Sequence, residues 1–187
     1  HEFLAEEVWA ASAYGHNMIY DHGHHGNAIL SRFPILHAHN QDVTHLQFER
    51  RGLLHCQIRL PEGPAAHCVC AHLSLFGYSR RKQMDALANY LEKQADPATP
   101  LIIAGDFNDW RNRAGEHLAH RLGLREVFSG PKGAPARSFP AAMPMFRLDR
   151  IYVRGFDIRR TEVHHGQPWS AISDHTALSA HLARHGR

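Results

Sequence analysis

A short apolar run that ends in a carboxylate and an amide is the feature that most restricts how this chain can fold. Residues 101–104 have the composition of a buried β-strand, and Gly105, Asp106, Phe107 and Asn108 follow them at once. Because side chains alternate along an extended strand, Asp106 and Asn108 are expected on one side of it. The carboxylate can hold a hard cation or orient a water molecule, and the amide can donate to an anionic oxygen. The same residue types also suit an ordinary turn.

Acids and histidines stand at the ends of other predicted strands as well. Asp149 opens one strand, Asp174 and His175 directly precede another, and His72 ends a third. Polar groups placed at the ends of a rigid scaffold are typical of binding and catalytic sites. The pattern therefore predicts one carboxylate-rich edge.

These motifs resemble those of the endonuclease/exonuclease/phosphatase superfamily, which has the deoxyribonuclease-I-like fold. The resemblance covers nearly the whole chain, and its motifs occur in the family's order. They are the strand of residues 26–35, the His72 strand with the basic residues after it, the motif of residues 105–108, the strand of residues 147–153 and the pair at 174–175. The resemblance implies a small bacterial member with an α/β (α+β) four-layer sandwich, in which two packed mixed β-sheets are flanked by helices.

The resemblance also implies roles for the site residues. Asp106 would orient or deprotonate the attacking water, and Asp149 would orient the His175 ring. Hard oxygen ligands suit Mg²⁺ or Mn²⁺, and the implied metal ligands are Asp106, Asn108 and Asp174. The implied catalytic residues are His72, Asp106, Asn108, Asp149 and His175.

His72 has two interpretations. It could protonate the leaving group, or it could be a strand-end histidine that bonds to the backbone. Deoxyribonuclease-like members orient this histidine with a Glu, whereas the nearest position here is His25. Two rings of like charge would lower each other's pKa, which argues against a tuned acid.

Basic and aromatic residues near the strand ends are candidates for substrate contact. Substrate phosphate is expected to meet Asn108, Arg51, Arg80 and Arg81, although each arginine equally suits a solvated face. Further residues are expected as supporting groups or as pocket wall: His25, Asn27 and Trp110.

The start of the chain departs from the family pattern. Family members open with a strand that carries an Asn and a second strand that ends in Gln-Glu, whose Glu is the main metal ligand. Here Glu2, Glu6 and Glu7 lie in a stretch with helical periodicity. The expectation is a single domain over residues 1–187 that is N-terminally incomplete, with the Glu ligand upstream. The alternative is a divergent member that uses a different ligand.

Seven strands and two helices are predicted from hydrophobic periodicity. The strands are expected near residues 27–32, 35–47, 52–60, 67–73, 101–105, 149–153 and 176–182. The helices are expected near residues 79–94 and 114–122. Residues 130–146 form the longest irregular stretch, and loops of this length often shape a substrate site.

Composition is that of an ordinary globular domain. The 187 residues suit one domain, and a hydrophobic content of 43% suffices for a core. No apolar run is long enough to span a bilayer, so stable membrane insertion is not expected. The three cysteines are expected to be reduced, which favours the cytoplasm, although a signal at the missing start would be hidden. The net charge of +3 suits an anionic substrate.

Three functions stay open from the sequence. The first is a divalent-metal-dependent phosphoesterase that acts on DNA or RNA. The second is the same chemistry on a phospholipid headgroup or a small phosphoester. The third is a non-catalytic binding protein, against which the presence of all the site residues argues. The sequence indicates no oligomeric state.

Overall fold

The computed structural model describes residues 8–111, 114–129 and 136–185. Within these residues the chain forms ten strands and three helices. The strands are β1 (Ala11–Tyr20), β2 (Gly23–Ser31), β3 (Ile35–Asp42), β4 (Gly52–Ile58), β5 (Ala66–His72), β6 (Leu101–Asp106), β7 (Arg125–Glu126), β8 (Asp149–Arg154), β9 (Phe156–His164) and β10 (Ala177–Arg184). The helices are α1 (Gly77–Gln94), α2 (Ala114–Leu122) and α3 (Trp169–Ile172).

A six-stranded mixed sheet forms the centre of the fold, with the strand order β3-β4-β5-β6-β8-β7. β5 and β6 run parallel and are connected through α1, whereas the other neighbouring strands run antiparallel. Two antiparallel ribbons, β1–β2 and β9–β10, complete the β-structure. The carboxyl ends of β5 and β6 therefore lie at the same edge as the start of β8.

The central sheet buries a different layer on each face. On one face, Leu87 of α1 and Leu118 of α2 pack against Val69 and Ile103 of the sheet. The other face is covered by the two ribbons through their apolar residues, which include Ala13, Ile29, Ile158, Val163, Leu178 and Leu182. The prediction of an α+β fold with two packed sheets is confirmed.

The strand prediction was incomplete in the ribbons. The sequence analysis did not predict β1 or β9, because polar and charged residues interrupt their apolar runs. Each strand buries only part of its surface, so alternating polar positions face solvent and weaken the apolar signal. The strand expected over residues 35–47 ends earlier, at Asp42. The helical stretch expected at the start falls largely on residues 1–7, which lie outside the described residues, as do residues 130–135 of the long irregular segment.

The cysteines occupy apolar positions at the interface between the sheet and the β1–β2 ribbon. Cys56, Cys68 and Cys70 are all free thiols. Burial raises the pKa of Cys68 to about 12 and those of the other two to about 11. The reduced state of the three cysteines in the cell stays a prediction. Among the described residues, no helix has the length and apolar character that crossing a membrane requires.

Gly105 shows why the strand that carries Asp106 needs a glycine. Its φ is +137°, and a Cβ built there would lie 2.0 Å from the carbonyl oxygen of Ala71 on the parallel neighbour β5. We expect Gly105→Ala to destabilise the fold by about 3 kcal/mol or more, because backbone strain and overpacking add. Gly166→Ala is the matched control, since its φ is +71° but nothing lies within 4 Å of the added Cβ. Urea unfolding of both variants tests this, and equal losses would contradict the steric argument.

A buried histidine pair predicts acid sensitivity of the fold. His55 Nε2 lies 2.8 Å from His67 Nδ1, and His55 Nδ1 lies 3.0 Å from the Tyr90 hydroxyl. Burial, and next the charge of His67, lower the pKa of His55 to about 4. The unfolded chain therefore gains a proton below about pH 6.5 that the folded chain takes up only near pH 4.

The stabilising contribution of a neutral His55 is fully present above about pH 6.5 and is lost as the pH falls towards 4. We expect a loss of about 3 kcal/mol over that interval. His55→Gln should flatten the pH dependence of the free energy of unfolding, whereas His181→Gln, at an exposed position, should leave it unchanged. An identical acid slope in His55→Gln would refute this account.

Candidate active site

A cleft of about 530 Å³ opens at the edge where β5 and β6 end and β8 begins. Leu75, Phe139 and Leu148 supply apolar wall. Most of the predicted site residues line this cleft, namely Arg51, His72, Asp106, Asn108, Trp110, Asp149, Asp174 and His175. The carboxylate-rich edge expected from the strand ends is thus present in the structure.

Strand register brings the central residues together. His72 of β5 is the register partner of Asp106 on β6, and Asp106 is in turn the partner of Asp149 on β8. The three side chains therefore form one row across adjacent strands, although they are far apart in sequence. The Asp174 carbonyl accepts a bond of 2.7 Å from the amide of Ala141, which ties the segment before β10 to the same edge.

His175 and Asp149 form a close pair. His175 Nδ1 lies 2.6 Å from Asp149 Oδ2, and the amide of Asp149 donates to Ser138 Oγ at 3.1 Å. The hydrogen bond to Asp149 raises the pKa of His175, although partial burial opposes this shift. The pair consequently favours an imidazolium whose Nε2–H can donate to an anion.

Asp106 is the carboxylate at the centre of the row, and its buried position disfavours its negative charge. Its Oδ1 accepts a 2.8 Å bond from the Asn108 amide, and its Oδ2 lies 3.6 Å from His72 Nε2. Burial raises the pKa of Asp106, and the neighbouring Asp149 adds to this effect, against the opposing bond from Asn108. A bound cation would relieve this cost of holding negative charge.

His72 is held in its neutral form. Burial is the main cause that lowers its pKa to about 4, and Arg51, His25 and His175 add to it. A neutral ring at pH 7 can accept a proton, but it lacks the extra proton that an imidazolium acid donates. This lowered pKa suits a ring that accepts a proton or a hydrogen bond, and the general-acid role of His72 stays a prediction.

Asn108 reaches the cleft through a turn rather than through the strand. β6 ends at Asp106, Phe107 is buried against Tyr152, and Asn108 has φ of +48°. Asparagine tolerates this left-handed conformation better than most residues. Asp106 and Asn108 do line the same cleft, as expected, but a turn and not strand alternation places Asn108 there, because the strand has already ended. Its Nδ2 donates to the Leu73 carbonyl at 2.9 Å, which leaves one amide hydrogen and the side-chain oxygen for other partners.

Glu49 is a site residue that the sequence analysis missed. Its Oε1 accepts from Arg51 Nη2 at 3.0 Å and from the amide of Leu75 at 3.1 Å, and its Oε2 accepts from Ser74 Oγ. Burial alone would raise the pKa of Glu49, but these donors together lower it. The ionised carboxylate holds Arg51 at the cleft wall. The closeness of Glu49 and Arg51 in one loop was the available signal.

The other basic candidates do not line the cleft. Arg80 is buried, and its Nη1 donates to the carbonyls of Ser74 and Leu75 at 3.0 Å each, so it shapes the loop instead of contacting phosphate. Arg81 is exposed on α1 outside the cleft wall. The expectation that these two arginines lie in the cleft and contact phosphate is therefore wrong. Side chains at the start of a helix project in several directions, and neither arginine projects into the cleft.

The supporting residues divide into structural and pocket roles. Asn27 Nδ2 donates to the carbonyls of Gly52 at 2.8 Å and Cys70 at 3.2 Å, and so ties the β1–β2 ribbon to the central sheet. His25 Nδ1 lies 3.3 Å from the Tyr20 hydroxyl, and His25 lies near enough to His72 to lower its pKa. Neither residue lines the cleft.

Trp110 forms part of the pocket wall. Its ring packs edge-on against Phe146, with centroids 4.8 Å apart, and against Phe139 at 6.2 Å. The side chain is 40% exposed, so one part of the ring faces the cleft mouth. This position allows contact with a bound organic group.

The donor set fits a hard cation held by few protein ligands. Within the described part of the chain, no three His, Cys, Asp or Glu side chains are close enough together to enclose a metal ion. Mg²⁺ is commonly bound by one or two carboxylates, with water and substrate phosphate completing its shell. Asp106 and Asp174 supply carboxylates in the cleft, and Asn108 supplies an amide oxygen.

Comparison with known sequences assigns this architecture to a family. The family model described as the endonuclease/exonuclease/phosphatase family matches residues 2–175. The uncharacterized protein YbhP of Escherichia coli strain K12 is 44% identical over 183 residues, which cover 97% of this chain and 72% of that protein.

Solved structures agree with the fold. An endonuclease/exonuclease/phosphatase from Beutenbergia cavernae superposes with a TM-score of 0.76 at 18% identity over 99% of this chain, which spans 56% of that longer chain. The catalytic domain of human Nocturnin, crystallised with a sulfate anion, also gives 0.76 at 18% identity, over 94% of this chain and 72% of that one. Identities this low establish the shared fold alone.

Proposed function

The chain belongs to the endonuclease/exonuclease/phosphatase family, and we propose that it is a divalent-metal-dependent hydrolase of phosphoester bonds. The observation that carries the proposal is the row of His72, Asp106 and Asp149 across three strands, with His175 bonded to Asp149 at 2.6 Å. Phosphoryl transfer to water requires charge neutralisation, an oriented donor and space for the substrate. The cleft offers carboxylates for a cation and an oriented imidazolium in one place.

The reaction adds water across a phosphorus–oxygen bond. The water oxygen bonds to phosphorus, the ester P–O bond breaks, and one proton of the water passes to the leaving oxygen. A bound Mg²⁺ or Mn²⁺ would neutralise the negative charge of the phosphoryl group during the reaction. Asp106 and Asp174, with the Asn108 amide oxygen, would hold that cation. Asp106 also orients the attacking water and accepts its proton.

The remaining residues stabilise the substrate anion. The His175 imidazolium donates from Nε2 to a phosphoryl oxygen, while Asp149 holds the ring in place. Arg51 offers a second positive charge at the cleft wall, positioned by Glu49. Sulfate, which Nocturnin binds, has the tetrahedral shape and charge of phosphate, and this supports an oxyanion site in the shared fold.

The substrate is proposed as a phosphodiester or a phosphomonoester. A nuclease that acts on DNA or RNA and an enzyme that acts on a lipid headgroup or a small phosphoester use the same chemistry. The cleft suits both, since the charged and polar groups that line it are of the kind that bind a phosphate, whichever group that phosphate carries.

Metal dependence is the test of the proposed function. Protein expressed from its complete natural reading frame is assayed with bis(p-nitrophenyl) phosphate, p-nitrophenyl phosphate and plasmid DNA. We expect hydrolysis with Mg²⁺ or Mn²⁺, loss to background in EDTA, and full recovery with excess Mg²⁺. Full activity in EDTA, or inactivity on every substrate with either metal, would overturn the proposal.

A further inference from the structure

Large apolar side chains are exposed on the segments that lead into the cleft. They are between 49% and 72% exposed. Contiguous apolar exposure beyond scattered single residues is typical of an interaction surface. The residues are Phe48, Leu75, Phe76, Met143, Met145 and Ile172, and we call them, with the loops that carry them, the cleft rim.

The cleft rim lies at the active-site end of the central sheet. Phe48 belongs to the loop between β3 and β4 and meets Phe76 at a ring distance of 6.0 Å. Leu75 lines the cleft directly, and Ile172 stands two residues before the cleft residue Asp174. Apolar side chains therefore occur on several loops that meet around one opening.

Met143 and Met145 belong to another loop of the cleft rim. They belong to the loop between the cleft residue Phe139 and Phe146, whose backbones are bonded to each other. Both methionines are exposed. Because the loop is closed at its base, its apolar tip faces outward beside the cleft.

The exposed charges near the cleft rim are mostly positive. The described segments around the cleft are residues 44–51, 73–82 with the start of α1, 107–111, 136–148, and 165–176 with α3. The acids in these segments are Glu49, which is paired with Arg51, the buried Asp109, and Asp174 inside the cleft. The exposed basic residues of the same segments are Arg50, Arg81, Lys82, Arg111 and Arg137. The cleft rim is thus apolar and cationic, which complements an anionic surface.

The aliphatic side chains of the cleft rim favour a lipid surface over nucleic acid as the partner. Single-stranded nucleic acid is bound by cations and by aromatic rings on which bases stack. Aromatic rings are exposed around the cleft, on Phe48, Phe76, Tyr78 and Trp110, but Leu75, Met143, Met145 and Ile172 are exposed as well and present no ring for stacking. Flexible aliphatic groups beside cations instead suit the boundary between lipid headgroups and acyl chains.

We propose that the cleft rim docks on an anionic lipid surface, so that the phosphoester hydrolysed in the cleft belongs to a lipid headgroup. The apolar side chains enter the headgroup region, and the cations neutralise acidic lipids around the cleft mouth. Water then attacks the headgroup phosphorus and the ester oxygen leaves with a proton. The headgroup part of this inference rests on the proposed function, whereas the docking part does not.

Vesicle sedimentation tests the docking without hydrolysis. The protein is mixed, in EDTA, with phosphatidylcholine vesicles that contain either no anionic lipid or about 30% phosphatidylglycerol. We expect binding roughly tenfold tighter to the anionic vesicles and a progressive loss of binding with added salt. The double variant Phe76→Glu/Ile172→Glu should bind at least about tenfold more weakly.

Phe33→Glu is the matched control. Phe33 is an exposed aromatic residue in the turn between β2 and β3, at the end of the sheet opposite the cleft. This variant should bind vesicles like the unmodified protein. All variants should hydrolyse soluble bis(p-nitrophenyl) phosphate within about twofold of one another, because neither Phe76 nor Ile172 lines the cleft.

The outcomes separate docking from catalysis. Failure of the unmodified protein to bind anionic vesicles, or equal binding by the double variant, would overturn the proposal. Rim-dependent binding of a single-stranded oligonucleotide without vesicle binding would overturn it in favour of nucleic acid. Rim-dependent vesicle binding with hydrolysis of phosphatidylglycerol, followed by mass spectrometry, would support it fully. Rim-dependent binding by a protein that hydrolyses no phosphoester would support docking and count against the proposed function alone.

Discussion

Replacing His175 with Ala is expected to lower kcat by about 10³-fold, because the cleft loses its oriented imidazolium. His175 bonds to Asp149 at 2.6 Å, so Asp149→Asn should lower kcat by the same mechanism. The two losses should not add in the double variant, since each removes one functional unit. Steady-state hydrolysis of bis(p-nitrophenyl) phosphate measures all three, with circular dichroism to verify folding.

His185→Ala is the control for this prediction. His185 Nε2 lies 3.2 Å from Asp157 Oδ1, so it is also a histidine–aspartate pair, but it does not line the cleft. Its removal should change kcat by less than about twofold. A similar loss in both histidine variants would mean that His175 acts through general stability instead of through the reaction.

The pH profile gives an independent measure of the same pair. Because the bond to Asp149 raises the pKa of His175, the ring keeps its proton to higher pH than an ordinary histidine. Activity that needs the imidazolium is full below this pKa and declines as the pH rises through it. Asp149→Asn removes the largest cause of the shift, so the alkaline limb of the residual activity should move to lower pH.

The second large effect is expected for Asp106→Asn. This change removes the carboxylate that orients water and holds the cation, so kcat should fall by about 10³-fold or more. The fold should not suffer in parallel. Burial and Asp149 both disfavour the charge of Asp106 in the folded state, so the free energy of unfolding should stay equal or rise.

Asp85→Asn provides the matched control, because Asp85 is an exposed carboxylate on α1. It should leave both kcat and the melting temperature unchanged. Thermal unfolding and hydrolysis rates are measured on the same preparations. A drop in both rate and stability for Asp106→Asn would identify Asp106 as a structural residue and remove it from the proposed mechanism.

Asp106→Asn is expected to lower the rate without lowering the stability, which indicates that Asp106 serves the reaction at a cost to folding. A carboxylate with a raised pKa, beside a second carboxylate, is a cost to folding that a purely structural site would not retain. The fold meets this cost with the helices packed on one face of the sheet and the ribbons on the other. Asp106 is thereby held at the end of a strand whose two faces are both covered.

The sequence by itself determined the strands that carry the site. β4, β5, β6 and β8 lie close to their predicted positions, and α1 and α2 lie close to theirs. These strands carry apolar residues on both faces, because both faces of the central sheet are covered. The motif order implied the family, and family membership is confirmed.

The tertiary structure alone decided which polar groups meet. The row of His72, Asp106 and Asp149 follows from the pairing of β5, β6 and β8, which is a register between distant segments. Sequence cannot specify in which direction a helix-start arginine projects, so Arg80 was expected in the cleft although its side chain bonds to the Ser74 and Leu75 carbonyls.

Glu49 is the converse case, a residue at the cleft whose role the sequence did not reveal. Its role depends on an amide at Leu75 and on Arg51, which the fold brings around one carboxylate. Local pattern determines where strands begin and end, because it depends on near neighbours and burial. Pairing, register and loop closure join distant residues, so the geometry of the cleft was decided only when the whole sheet assembled.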